Sequence, residues 1–396
     1  MRRVFAYVVV SVLALAMVEG AVRAYEMSQA ATSTEGVEGL LRSLPETKIS
    51  GREIGNQFLV HNVALFEHLP DPEAVHTAFV GSSRSKVLRP ARFGFADAVN
   101  GSGNSYNEIS YGLLLQAEIL RRQFPNLRKV YVEAPVLMRR RDGLTMERDH
   151  QKYFPLLLSL MPLIDQLDQA KQTKAEIINY ETNGGSPDSD LLHFVRYRSD
   201  LRLTNLYRRL IGADGSIPVY DDPWFKTVRP NGERIDLSAA MNANPLPPIA
   251  REHPKIQRLT DIRSNFPWDG LFDLFAIWGK AHNIQIVFYQ PPVRSDVLEF
   301  EKEYGLDLHV EDLKRVSEKY HIPFIDLERE GLGFAEDWSL FSDEDHMETC
   351  TGSTLLLEAI LQGETMFEQD GEVFPAISRR AVESASSQEL ASCNGK

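Results

Sequence analysis

The feature that most constrains this chain is a rhythm: a short apolar run, a turn rich in glycine and hydroxyl residues, then a helical pattern. Residues 74–81 read as a strand that runs into the turn Gly81-Ser82-Ser83-Arg84-Ser85. Phe93 to Val99 is a second strand candidate, running into Asn100-Gly101-Ser102-Gly103-Asn104-Ser105. From Tyr106 to Phe124 apolar residues recur at three and four (Ile109, Leu113, Ala117, Leu120), which predicts a helix stopped by Pro125-Asn126. Lys129 to Val136 is a third strand. Such alternation predicts an α/β fold with a parallel sheet under covering helices. Ligands of open parallel sheets bind beyond the C-terminal strand ends, where both Gly/Ser-rich turns lie.

The rhythm breaks and then returns. Residues 25–73 are mixed and polar, a lead-in with a modest helix around Gly36–Leu44. Beyond Arg139-Arg140-Arg141 the pattern is helical within Tyr153–Lys171 and Leu191–Leu210, then rich in Pro and Asn up to Pro254. We read 141–253 as a helical and irregular insertion that caps the site. Arg196, Arg198, Arg202, Arg208 and Arg209 within it suit a solvated helix face, or binding to an anionic polymer or headgroup. Afterwards come a helix over Ile256–His282, a buried strand Ile284–Tyr289 closed by Pro291-Pro292, and a helix Val310–Lys319. A short strand His321–Leu327, a loop with Trp338 and Phe341, and a last helix Gly352–Leu361 follow. The expected organisation is therefore 1–24 as an export segment, 25–140 and 254–366 as two parts of one domain, 141–253 as the insertion, and 367–396 as a flexible tail, with the chain already Glu-, Ser- and Ala-rich and loosely ordered from about Glu364.

Bulk properties narrow the function. The 396 residues are 43% hydrophobic and 25% charged, with a net charge of −13. That balance argues against a general phosphate-backbone binder, so no nucleic-acid partner is expected. Two cysteines, Cys350 and Cys393, form no disulfide framework or Cys-type zinc site. At the N-terminus, Met1-Arg2-Arg3 is followed by an apolar run from Val4 to Val18, interrupted only by Ser11 and extended by Gly20, Ala21 and Val22. This reads as an uncleaved signal anchor or, with a cut near Val22-Arg23-Ala24, a signal peptide. The basic start keeps the N-terminus inside and the body outside the cytoplasm.

Two stretches carry chemistry. A strand that ends in Gly-x-Ser presents a nucleophile well, and a helix beginning at Ser83 would aim N–H groups at the hydroxyl. The competing role for Ser82 or Ser83 is a helix cap. Asp343-x-x-His346 places a carboxylate and an imidazole three residues apart just before a helix. The imidazole can take a serine proton while the carboxylate fixes its tautomer. The N–H groups of Ser83 and Gly103, with the Asn104 side chain, are candidate oxyanion donors. Asp343, Asp345, His346 and Glu348 make a thin metal site, since zinc prefers His or Cys ligands, and no metal or cofactor is expected. Glu133 reads as a site acid or as the structural partner of an arginine. Arg84 reads as a contact for an anionic or carbonyl group of the substrate, or as a salt-bridge residue. Of the four tryptophans, Trp338 is the candidate substrate contact, Trp268 and Trp278 suit core packing, and Trp224 is a further candidate for sugar stacking.

With these motifs the chain resembles the SGNH (GDSL-like) hydrolase superfamily, in a membrane-anchored bacterial subset related to envelope polysaccharide O-acetylation. The resemblance covers about 75–140 and 254–363. It implies a flavodoxin-like three-layer sandwich with a central parallel sheet. The family's Gly-Asp-Ser maps onto Gly81-Ser82-Ser83, which carries the nucleophile onto Ser83. Its second-block glycine maps onto Gly103, and its final Asp-x-x-His followed by Gly onto Asp343, His346 and Gly352. Ser82 stands where the family has Asp, and the third-block Asn has no match in Glu133-Ala134-Pro135. The resemblance implies a serine esterase or O-acyltransferase acting on O-acetyl or related esters of an envelope glycan, held by one span in the bacterial inner membrane with its soluble domain outside the cytoplasm. The alternative is an inactive binding or assembly component that keeps the fold.

Overall fold

The computed structural model describes residues 68–93, 95–103, 112–139, 159–168, 228–233, 247–257, 270–349 and 351–371, with positions 48, 49, 65, 66, 217, 218, 259, 262 and 263. Five strands form one parallel sheet: β1 (Thr77–Val80), β2 (Ala98–Asn100), β3 (Lys129–Glu133), β4 (Gln285–Gln290) and β5 (Phe324–Asp326). Their spatial order is β2-β1-β3-β4-β5. β3 and β4 pair directly from Lys129↔Gln285 to Glu133↔Tyr289, so the two parts of the chain on either side of the insertion share one sheet.

Side chains alternate across the sheet, and both faces are covered. On one face Ala78, Val80, Val130, Val132, Ile286, Phe288 and Phe324 pack with α1 (Gly112–Gln123), α2 (Leu271–His282) and the helix Leu306–Tyr320. On the other, Phe79, Tyr131, Val287, Tyr289 and Ile325 pack with the helix Thr351–Asp370. In chain order α3 is Ser295–Tyr304, α4 is Leu306–Tyr320 and α5 is Thr351–Asp370. Burial on both faces explains why the strands read as nearly unbroken apolar runs rather than alternating ones.

Several expectations need correction. The strand placed over Phe93–Val99 is shorter, because Pro90–Phe93 forms a 3₁₀ turn and only Ala98–Asn100 pairs with β1. Of the helix placed over Ile256–His282, the described residues show Pro254–Gln257 and α2 as helical, and α2 opens at Gly270, which takes φ 73°. The helix α3 was not expected at all. The last helix continues past Leu361 to Asp370. Its Glu364 is buried and bonded to Lys129 Nζ and the Tyr131 hydroxyl, which ties this acidic stretch to the sheet instead of leaving it loose. The segment 1–24, the helix placed at Leu191–Leu210, Trp224 and Trp268 lie outside the described residues. Among the described residues no helix is long and apolar enough to cross a membrane.

Part of the insertion region reaches the sheet. Asn100, the last residue of β2, donates its N–H to the Asn231 carbonyl at 2.8 Å. Gly232, at φ 85°, lets the two backbones approach: a Cβ there would stand 1.9 Å from the Asn100 carbonyl oxygen. Gly352 in α5 is under the same kind of constraint, its hypothetical Cβ lying 2.3 Å from the Leu340 carbonyl oxygen. Gly→Ala inside a helix ordinarily stabilises by about 0.8–1 kcal/mol. Gly352→Ala is expected to reverse that sign and destabilise by roughly 1–3 kcal/mol. A melting temperature that rises in the variant would show that the loop before α5 yields freely.

Candidate active site

The turn after β1 is built around a buried carboxylate. Glu133, the last residue of β3, is 0% exposed. It accepts from the Ser82 N–H at 2.7 Å, from the Ser82 hydroxyl at 2.6 Å, and from the Ser85 hydroxyl. Behind it the Tyr289 hydroxyl donates to Ser85 Oγ at 2.5 Å. This approach requires glycine at position 81, where a Cβ would lie 2.4 Å from Glu133 Oε2 and 2.7 Å from Ser85 Oγ. Asn100 secures the same turn, donating from Nδ2 to the carbonyls of Ser85 (3.0 Å) and Leu88 (2.9 Å) while its Oδ1 accepts from Ser102 N–H. Glu133 thus holds serines, not the arginine expected of it.

These bonds divide the work between the two serines. Ser82 is buried, and its Oγ also accepts from the Arg84 N–H at 3.2 Å. Ser83 is half-buried, and its Oγ lies 2.6 Å from His346 Nε2. The helix expected to begin at Ser83 is instead a three-residue 3₁₀ turn, Ser85–Val87. Such a turn is too short to bring a helix dipole to the hydroxyl.

His346 sits in a loop that fixes its orientation. Asp343 Oδ1 accepts the backbone N–H groups of Asp345 (3.0 Å) and His346 (2.9 Å), a local turn built on the short side chain. Both Asp343 oxygens then stand 2.8 Å from His346 Nδ1. Asp345 Oδ1 is 2.9 Å from the same nitrogen. Carboxylates on Nδ1 place the proton there and leave Nε2 to face the serine. Burial disfavours the imidazolium, but the charge of Asp345 and the bonds to Asp343 outweigh it and push the His346 pKa up to about 10.

The remaining candidates fall differently. The Gly103 N–H donates to the Gly81 carbonyl at 2.9 Å, so it is engaged within the fold rather than turned to an oxyanion. Asn104 lies outside the described residues. Among the described residues nothing accepts the Ser83 N–H, which keeps it as a candidate oxyanion donor. Arg84 is not at the mouth of the site. It is 1% exposed, and its guanidinium faces Asp345 at 3.4 Å, Glu301 at 3.6 Å and Glu328 at 3.9 Å, which overturns its expected contact with substrate. Trp338 is half-buried, donates from Nε1 to Ser295 Oγ at 3.0 Å, and has the Arg294 guanidinium 4.1 Å over its ring. One of its faces is therefore taken. Trp278 is a core residue that donates to Glu118 at 2.9 Å.

Sequence reasoning passed over Asp345, Asn100, Ser85 and Tyr289 as parts of this assembly. Only Asp345 carried a visible signal, as the third residue of Asp343-Glu344-Asp345. Asp343, Asp345 and His346 offer ligand atoms within 4.8 Å of one another. Their hydrogen bonds account for that grouping, and no metal assignment rests on it. The arrangement can activate a hydroxyl: a base on Ser83 Oγ, an orienting carboxylate behind it, and a backbone donor at the nucleophile. In comparisons with known proteins, no family model matches the chain, and no curated protein matches it as a relative.

Proposed function

We propose that this chain is an extracytoplasmic serine esterase or O-acyltransferase of the SGNH kind. The observation that carries the reading is the 2.6 Å contact from Ser83 Oγ to a His346 whose Nδ1 is held by Asp343. A sheet in the order β2-β1-β3-β4-β5, covered on both faces, suits the flavodoxin-like sandwich of that superfamily. Ser83 attacks an acyl carbonyl as His346 takes its proton, and the oxyanion forms against the Ser83 N–H. His346 then returns the proton to the departing alcohol, leaving acyl-Ser83. Water completes ester hydrolysis; a sugar hydroxyl completes transfer. The substrate class is an O-acetyl or related ester of a cell-envelope glycan, and the basic-then-apolar N-terminus supplies a single-span anchor in a bacterial inner membrane.

A second reading, an inactive binding or assembly component, draws on the engaged Gly103 amide, which among the described residues takes away one of the two backbone donors expected for the oxyanion. A serine-directed fluorophosphonate separates the two. Covalent labelling that is lost in Ser83→Ala, together with acetate release from a panel of acetylated glycans and small esters, is the expected result. A folded preparation that labels equally with and without Ser83 would sink the enzymatic reading.

A further inference from the structure

A ring nitrogen carries one hydrogen, yet His346 Nδ1 meets three carboxylate oxygens: two of Asp343 at 2.8 Å and one of Asp345 at 2.9 Å. Asp343 suffices to orient the ring. Asp345 is the less exposed of the two carboxylates, at 6% of its side chain against 38%. A desolvated carboxylate is costly unless matched on its open sides. Here both sides are matched, because Asp345 Oδ1 faces the imidazole while Oδ2 lies 3.4 Å from Arg84 Nε. Arg84 is the residue after the nucleophile, so the chain that delivers Ser83 to one nitrogen of His346 also delivers a cation to the carboxylate on the other.

We propose that Asp345 is a second positioning carboxylate for His346, and that buried Arg84 holds it in place. The inference rests on the acyl-transfer reading only in calling His346 the base. Among the described residues, the charged groups around this relay include Asp343 on the same loop, Glu301 on α3 and Glu328 after β5, the last two lining Arg84, with the charge of Glu133 felt at Glu328. Glu328 accepts from Gln290 Nε2 at 2.8 Å, and burial pushes its pKa up to about 7 despite Arg84. Glu344 turns away, toward His253 at 4.0 Å. A proton on Glu328 leaves more of the guanidinium charge to Asp345.

The consequence is a base stronger than an imidazole with one carboxylate. Its neutral, proton-accepting form grows as pH rises, so acylation of Ser83 climbs into the alkaline range around the His346 pKa of about 10. Removing the Asp345 charge lowers that pKa and moves the rise to lower pH. A residue that merely supported the fold would reduce the rate at every pH and leave the rise in place.

The test measures two things in the full-length protein. One is the NMR titration of the His346 ring, assigned with His346→Gln. The other is the pH dependence of fluorophosphonate labelling, in wild type and Asp345→Asn. The expected result is a His346 titration far above the free-histidine value in wild type and a downward shift of roughly one unit or more in Asp345→Asn, with labelling following. An unmoved titration in a folded variant overturns the proposal. So does a wild-type His346 that titrates near the free value of about 6.5, a result that needs no variant to fold. Failure of Ser83 to label would instead count against the enzymatic reading and leave the titration readable.

Discussion

Ser83→Ala and His346→Ala are each expected to lower turnover of an acetyl ester by about 10⁴- to 10⁶-fold, and the double variant by no more than the worse single one. The argument lies in the 2.6 Å contact between Ser83 Oγ and His346 Nε2. The alcohol is a poor nucleophile without the base, and the base has nothing to activate without the alcohol. Removing either removes the same step, so the losses cannot multiply. What remains is the Ser83 backbone N–H, present in both variants. Ser83 is half-buried, and among the described residues its hydroxyl bonds to His346 alone. Losing that bond costs about 0.5–1.5 kcal/mol, so Ser83→Ala should fold normally and melt near wild type. Steady-state kinetics on the three variants, with circular dichroism as the control, decide the matter. Losses that multiply in the double variant would mean the two residues act separately, and the contact between them would not be the catalytic one.

How legible the molecule was in its sequence depended on how far apart the interacting residues lie. Strands such as Gln285–Gln290 were readable because a strand buried on both faces must be apolar along its length. Asp343 and His346 were readable because three residues and a local turn bring them together. Their partner Ser83, 263 positions away, was reached through the strand-end turn and the resemblance rather than through any local pattern. The losses share one cause. The helix α3 buries Glu301 beside Val297 and Leu298, so a charged residue interrupts its apolar face, and only the presence of Arg84 behind the site explains why. Glu364 looked like the start of an acidic tail because Lys129 and Tyr131 are 235 and 233 positions distant. Arg84 could be read as a substrate contact as well as a salt-bridge residue because the three carboxylates that enclose it come from three later segments of the chain. A buried ion pair leaves no periodicity in a sequence. Its two halves each read as surface residues until the fold joins them.

Glu133 is a buried carboxylate held by serines rather than by a cation, and its substitution should separate two explanations of why a carboxylate is buried there. Glu133→Ala would leave the Ser82 N–H, the Ser82 hydroxyl and the Ser85 hydroxyl without their acceptor in the interior. At about 1–3 kcal/mol for each buried group left unsatisfied, with the hydroxyls able to rotate toward other partners, the expected loss is roughly 3–5 kcal/mol. The turn would also relax, and a displacement of Ser83 by about 1 Å can cost 10²-fold in rate. Glu133→Gln is a different matter. Its carbonyl can occupy the place of Oε2 and accept from the Ser82 N–H and the Ser85 hydroxyl. Its amide can donate to Ser82 Oγ, which reverses that hydroxyl from donor to acceptor. The Ser82 N–H, the Ser85 hydroxyl and Ser82 Oγ then each still meet a partner and a buried charge is gone, at the cost of an acceptor for the Ser82 O–H hydrogen. Glu133→Gln should therefore melt within about 1 kcal/mol of wild type and keep activity within roughly tenfold, while Glu133→Ala loses most of both. Denaturant titration and kinetics on the pair distinguish the outcomes. If Gln proves as damaging as Ala, the negative charge itself is what the turn requires. If Ala proves as mild as Gln, Asn100 and the backbone hold Ser83 without help from Glu133.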